Sequence, residues 1–127
     1  MITEMKGQIF ELCDVVRQTG FEVHRYFGPG HLEKVYENAL ANRLRKQSVR
    51  LEQQYPITVR DQDGTVVGNY VADLIVERSL IIEIKAARAI CDEHIAQILG
   101  YLRSTEIEHG LLINFGAPKF FIRKYVM

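Results

Sequence analysis

The spacing of apolar residues first changes near Ser48, and this change constrains the fold more than any other feature of the sequence. Before Ser48 they recur every three or four positions, which is typical of amphipathic helices. After Ser48 they alternate by two over several short segments, which is typical of strands with one buried face. The chain is therefore expected to fold as a mixed α/β protein.

Two helices are predicted in the first part of the chain. The first has an apolar stripe that includes Ile9, Cys13, Val16 and Val23. It should end before residues 28–30, Gly-Pro-Gly, because proline restricts the residue before it and glycine permits positive φ. The second helix should run from about residue 32 to residue 46. Its expected apolar face contains Leu32, Val35, Tyr36, Ala39, Leu40 and Leu44.

Five strands and a third helix are predicted in the second part of the chain. The strands are expected at residues 49–59, 65–76, 80–86, 109–115 and 119–126. The first three should form an antiparallel meander, with a bend near Gly68, and the last should be an edge strand. Asp92 is expected to cap the third helix. The buried face of that helix is expected to contain Ile95, Ile98, Leu99 and Leu102.

Size and charge narrow the class of protein. The chain has 127 residues, 47% of them hydrophobic, which is enough for a single domain with a continuous core over residues 1–127. Lys+Arg and Asp+Glu number 16 each, so any binding of nucleic acid must depend on a local patch. Cys13 and Cys91 are expected to be buried small residues. Because the chain has no apolar segment of signal-peptide or membrane-spanning type, a cytoplasmic protein without a membrane partner is expected.

Two acidic residues should meet on one face of the predicted meander. Side chains alternate between faces along a strand, so Glu83 and Lys85 should point the same way. If residues 77–79 form a three-residue hairpin loop, Asp73 lies directly opposite Glu83. Cβ atoms of such neighbours are about 4.5–5.5 Å apart. Two carboxylates at this separation repel each other unless a proton or a cation lies between them.

A divalent cation would resolve this repulsion. Mg²⁺ prefers oxygen ligands and is commonly held by one or two carboxylates together with substrate phosphate, and Asp73 and Glu83 would supply that number. Lys85 would then lie beside a metal-bound water, where its charge stabilises a phosphate under attack. The alternative is an ordinary solvated sheet face, and spacing alone does not distinguish the two.

The same residues resemble a known signature. Asp73 followed by Glu83-Ile84-Lys85 resembles the active-site motif of the PD-(D/E)xK phosphodiesterase superfamily, whose core has the order α-β-β-β-α-β. Residues 30–36, Gly-His-Leu-Glu-Lys-Val-Tyr, fit the GxxExxY motif of a family of small bacterial and archaeal proteins assigned to that superfamily. Further similarity covers residues 70–77, 82–86, 96–102 and 110–116. One position departs from the pattern, since Ala72 replaces the proline of the motif, which is not a metal ligand.

The resemblance implies a restriction-endonuclease-like core with an extra N-terminal helix and a C-terminal edge strand. It implies that Mg²⁺ or Mn²⁺ is bound by Asp73, Glu83 and the backbone carbonyl of Ile84. It also makes Lys85 the catalytic lysine, with Glu33 and Gln97 as supporting site residues. The expected function is metal-dependent hydrolysis of phosphodiester bonds in DNA or RNA. The alternative is a catalytically silent binding or assembly module, acting as a homo-oligomer or as a partner in a larger nucleic-acid system.

Overall fold

The structure, a computed structural model, describes residues 2–127, with side-chain environments from residue 8 onward. This part of the chain forms three helices and five strands in the predicted order. They are α1 (Ile2–Phe27), α2 (Glu33–Lys46), β1 (Leu51–Arg60), β2 (Val66–Val76), β3 (Leu80–Lys85), α3 (Asp92–Arg103), β4 (His109–Asn114) and β5 (Phe121–Val126). None of the helices in residues 2–127 combines the length and apolar character that a membrane span requires.

The strands form one sheet in the order β1-β2-β3-β4-β5. The first three strands are an antiparallel meander, as predicted, and β5 is an edge strand. Strands β3 and β4 are parallel, and α3 connects them. Val76 pairs with Leu80, so the three-residue link between β2 and β3 sets the register expected from the sequence.

Helices cover both faces of this sheet, and β3 contributes to both cores. Leu80, Ile82 and Ile84 pack into the larger core together with α1 and α2. Ile81 packs into the smaller core, with Tyr101 of α3. Because side chains alternate along a strand, the two polar residues of β3 project on the α3 side of the sheet.

The backbone of the β1–β2 pair is irregular at one position, where Gln54 faces Asp73. Gln54 of β1 lies opposite Asp73, between two paired positions, and has a φ of 56°. Leu74 packs into the larger core, whereas Ala72 packs into the smaller one. The regular alternation of β2 is therefore broken at Asp73. A non-glycine residue in this region of backbone space costs about 1–3 kcal/mol and often marks a functional site.

Some predicted positions are wrong in detail. Leu32 and Val35 are exposed, because α2 begins at Glu33 and turns a different stripe of residues toward the sheet. Cys91 is exposed rather than buried, because it occupies the N-cap of α3 that was assigned to Asp92. The buried residues of α3 are Ile98, Tyr101 and Leu102, with Ile95 and Leu99 half-buried. The bend near Gly68 is present as a register shift between Val59 and Arg60 on the facing strand.

Candidate active site

Two carboxylates meet where β2 and β3 stop pairing through their backbones. Leu74 and Ile82 form the pair nearest to this point. Beyond it, the backbone N–H of Asp73 donates to Glu83 Oε1 at 2.9 Å, and the N–H of Ile84 donates to Asp73 Oδ2 at 2.8 Å. The side chain of each carboxylate thus replaces a backbone acceptor on the opposite strand. This arrangement holds Asp73 and Glu83 side by side, as the strand register predicted.

The environment of both carboxyl groups disfavours charge. Glu83 is 2% exposed, and burial, followed by the charge of Asp73, raises its pKa to about 8. Burial also raises the pKa of Asp73, against the opposing effect of the hydrogen bond from Ile84. Lys85 lowers the pKa of both groups through its charge. Among residues 8–127, however, no lysine or arginine forms an ion pair with either carboxylate.

The backbone carbonyl of Ile84 faces the same space. In a strand, the N–H and C=O groups of one residue point to the same side, and successive residues alternate sides. The carbonyl of Lys85 accepts from the N–H of Phe115 at 2.9 Å, on the β4 side. The N–H of Ile84 points the other way, to Asp73. The carbonyl of Ile84 is therefore directed toward the carboxylate pair.

Helix α3 adds two side chains to the site. The ammonium group of Lys85 donates to Gln97 Oε1 at 2.6 Å. Tyr101 lies one turn after Gln97, on the same side of the helix. Burial, followed by the charges of Glu83 and Asp73, raises the pKa of the Tyr101 hydroxyl to about 12. Gln97 and Tyr101 thus lie beside the carboxylate pair on the face of the sheet that α3 covers.

Asn114 fixes the chain that leaves β3 after the lysine. This side chain is 1% exposed. Its amide oxygen accepts from the N–H of Ala87 at 3.0 Å and from that of Gly116 at 3.1 Å, and its amide nitrogen donates to the carbonyl of Ala87 at 2.9 Å. A Cβ atom on Gly116 would lie 2.3 Å from the backbone of Ala86 and Ala87. The close contact and the amide clamp together fix the end of β3, and with it Lys85.

Helix α2 contributes a buried carboxylate that was not predicted. Glu37 is 3% exposed. It accepts hydrogen bonds from Lys34 at 3.1 Å, from Gln53 at 2.7 Å and from Gln54 at 2.7 Å. Gln54 is the residue with positive φ opposite Asp73, so Glu37 secures the twist of the sheet at the site.

Glu33 is less directly placed than the sequence suggested. It is exposed in the first turn of α2, and its charge raises the pKa of Asp73 less than the charge of Glu37 does.

A signal for Glu37 was present in the sequence. It precedes Leu40 by three residues and Ala41 by four, which places it on the buried stripe of the helix.

The donor atoms present suit a hard cation. Among the described residues, no group of three or more His, Cys, Asp or Glu side chains has the spacing of a metal site. Two carboxylates and one carbonyl are a small, all-oxygen set, which fits an ion such as Mg²⁺ that retains several waters. Asp73, Glu83, Ile84, Lys85 and Gln97 are thus brought together, whereas Glu33 lies at the margin.

Comparisons with known proteins agree with this architecture. A family model described as the PD-(D/E)XK nuclease superfamily matches residues 10–125. A solved structure described as the crystal structure of SSO0001 is similar, with a TM-score of 0.61 and 21% sequence identity over 73% of this chain and 48% of that chain. This likeness shows the fold alone, and the chain spans about half the length of that protein. No curated protein matches the chain. The expected restriction-endonuclease-like fold is confirmed.

Proposed function

Because the chain belongs to the PD-(D/E)XK nuclease superfamily, we propose that it is a divalent-metal-dependent nuclease that hydrolyses phosphodiester bonds in DNA or RNA. The observation that supports this most strongly is the pairing of half-buried Asp73 with buried Glu83, where no lysine or arginine of residues 8–127 forms an ion pair with either carboxylate. Within the superfamily, we assign the chain to the GxxExxY family on the motif at residues 30–36.

Asp73, Glu83 and the carbonyl of Ile84 are the groups that would hold Mg²⁺ or Mn²⁺. Each carboxylate uses one oxygen to accept a backbone N–H, which leaves its second oxygen for a cation. When bound, the cation supplies positive charge that offsets both carboxylates and the substrate phosphate, and it lowers the pKa of bound water. The raised pKa of Glu83 supports this assignment, because a group that is costly to ionise alone gains most from a cation beside it.

Lys85 has the catalytic role in this proposal. An ammonium group has three donors, and the contact with Gln97 occupies one of them. The remaining donors are available to a phosphate oxygen and to the attacking water. A positive charge held in this way stabilises the negative charge that develops on the phosphate in the transition state. Gln97 is a positioning residue, since it orients the lysine.

The two glutamates of α2 have supporting roles. Glu37 holds Gln54 in its positive-φ conformation opposite Asp73, so it positions the backbone from which that carboxylate projects. Glu33, exposed at the start of the helix, adds negative charge near Asp73 and would act on a bound cation through its water shell.

A cleavage panel tests the proposal. Single-stranded DNA, duplex DNA and single-stranded RNA are incubated with wild-type protein in Mn²⁺, in Mg²⁺ or in chelator. We expect cleavage of at least one substrate with metal and none with chelator. Asp73→Asn should abolish it, and Lys85→Ala should lower the rate by about 100-fold, the effect of removing one charge-stabilising donor. Glu11→Gln, an exposed carboxylate of α1, is the matched control and should cleave normally.

Two results would contradict the proposal. Metal-dependent hydrolysis that persists unchanged in Asp73→Asn would show that the activity does not depend on this site. Metal binding without cleavage of any substrate would favour the alternative, a silent binding module that keeps the fold of a nuclease.

A further inference from the structure

An exposed tyrosine of β2 lies beside the candidate site. Tyr70 is 42% exposed, and its ring centroid lies 5.2 Å from that of Tyr101, with the two rings tilted by 42°. Tyr101 is 6% exposed, and its hydroxyl experiences the charges of Asp73 and Glu83. Tyr70 therefore presents an open aromatic surface one ring away from the carboxylate pair.

This surface is rigid. Tyr70 pairs with Ile57 of β1, and both belong to the regular part of the hairpin. Tyr101 supports one side of the Tyr70 ring and is itself anchored in the smaller core. A ring that is already ordered loses little conformational entropy when a ligand packs on it.

The surrounding surface suits bases better than phosphates. Residues 61–77, which include all of β2 and the turn before it, contain no lysine or arginine. Two valines near the start of this strand are exposed, Val66 at 48% and Val67 at 61%. Duplex recognition depends on several cationic contacts to the phosphate backbone. An exposed aromatic ring on a strand without cationic residues instead favours the faces of unpaired bases.

We propose that Tyr70 stacks on an unpaired nucleobase next to the scissile phosphate, so that the preferred substrate is single-stranded nucleic acid or an unpaired end. This inference rests on the proposed function, because it places the base beside the carboxylates of that site. In an intact duplex, the faces of internal bases are covered by their neighbours, and a base must leave the stack before a side chain can pack on it.

The test measures binding without turnover, in the Lys85→Ala background with Mn²⁺. The probe is a single strand of about 12 nucleotides that carries one 2-aminopurine, compared with the same strand in duplex form. We expect tighter binding of the single strand, with quenching of the 2-aminopurine emission. Tyr70→Leu should lose about 10-fold in affinity for the single strand and most of the quenching, since base stacking on an aromatic ring contributes an effect of this size.

Three variants control the experiment. Tyr70→Phe keeps the ring and should bind and quench as the parent does. Phe10→Leu removes a 58% exposed ring of α1, which packs near Lys124 of β5, and should change nothing. If Tyr70→Leu unfolds, Tyr70→Val is a β-favouring replacement that also lacks the ring.

Equal affinity of Tyr70→Leu and its parent for the single strand would overturn the inference, as would tighter binding of the duplex. Failure to bind either probe, together with self-association that Tyr70→Leu abolishes, would also overturn it and identify the hairpin as a protein interface. If quenching depends on Tyr70 but the wild type cleaves no substrate, base stacking would be supported and the proposed hydrolysis would be wrong.

Discussion

Without metal, the stability of the protein should fall as pH rises from about 4.5 to about 8, and Glu83 should be the main cause. Its carboxyl has the ordinary glutamate pKa of 4.5 in the unfolded chain and a pKa of about 8 in the folded protein, where burial and the charge of Asp73 disfavour ionisation. The folded state therefore binds more protons than the unfolded state in this window, so the free energy of unfolding decreases with pH. The contribution is complete below about pH 4.5 and is lost above about pH 8.

The size of this effect follows from the shift. At about 1.36 kcal/mol per pKa unit, the rise in the pKa of Glu83 from 4.5 to about 8 lowers the free energy of unfolding by about 5 kcal/mol at most between these two pH values. Glu83→Gln removes the ionisable group and keeps an oxygen that accepts the N–H of Asp73. The variant should be close to wild type near pH 5 and clearly more stable than wild type near pH 8.

Urea denaturation in chelator, at intervals from pH 5 to pH 8.5, measures the difference. Wild type and the exposed-site control Glu11→Gln should show the same downward slope, and Glu83→Gln should lose most of it. Saturating Mn²⁺ at pH 8 should restore wild-type stability, because a ligand that binds only the folded state stabilises it. Parallel pH profiles for wild type and Glu83→Gln, or a wild type that becomes more stable toward pH 8, would show that the pKa of Glu83 is not raised in the folded protein.

Other substitutions test the parts around the pair. Gly116→Ala should destabilise the protein by about 1–3 kcal/mol in urea denaturation, because the added Cβ meets the fixed backbone of Ala86 and Ala87. Gly100→Ala, whose Cβ would meet nothing within 4 Å, is the control and should not destabilise it. Equal stability of the two variants would contradict the close approach at Gly116. Asn114→Ala should lower the thermal midpoint, because the half-buried backbone N–H groups of Ala87 and Gly116 and the C=O of Ala87 lose their hydrogen bonds to the amide. An unchanged midpoint would argue against the clamp. Glu37→Gln should lower the pKa of Asp73, followed by NMR titration of its carboxyl carbon in chelator; a pKa that stays the same would show that the charge of Glu37 does not reach it.

The convergence of Asp73 and Glu83 could be predicted because it depends on local rules. Alternation along β3 decides which side the glutamate takes, and a three-residue link pairs Val76 with Leu80. Counting from that pair brings the two carboxylates together, whatever the rest of the chain does. The pattern of helices and strands was predictable for the same reason, since it depends mainly on the period of apolar residues.

The remainder of the site depends on contacts between distant elements. Glu37 becomes part of the site only because β1 brings Gln53 and Gln54 against α2. The positive φ of Gln54 could not be predicted, because β1 contains no glycine or aspartate that would indicate it. The clamp of Asn114 on Ala87 likewise forms only when β4 pairs with β3. Spacing within one segment does not contain this information.

Titration calorimetry with Mn²⁺ tests most directly whether the carboxylate pair is a cation site. The wild-type protein should bind Mn²⁺. Asp73→Asn and Glu83→Gln should each weaken it by at least about 10-fold, as expected when a charged ligand of the ion is removed. Lys85→Ala should keep it, because the ammonium group bonds to Gln97 and not to the carboxylates. Wild-type protein that binds no Mn²⁺, or Asp73→Asn that binds it as tightly as wild type, would show that the carboxylate pair is not a cation site.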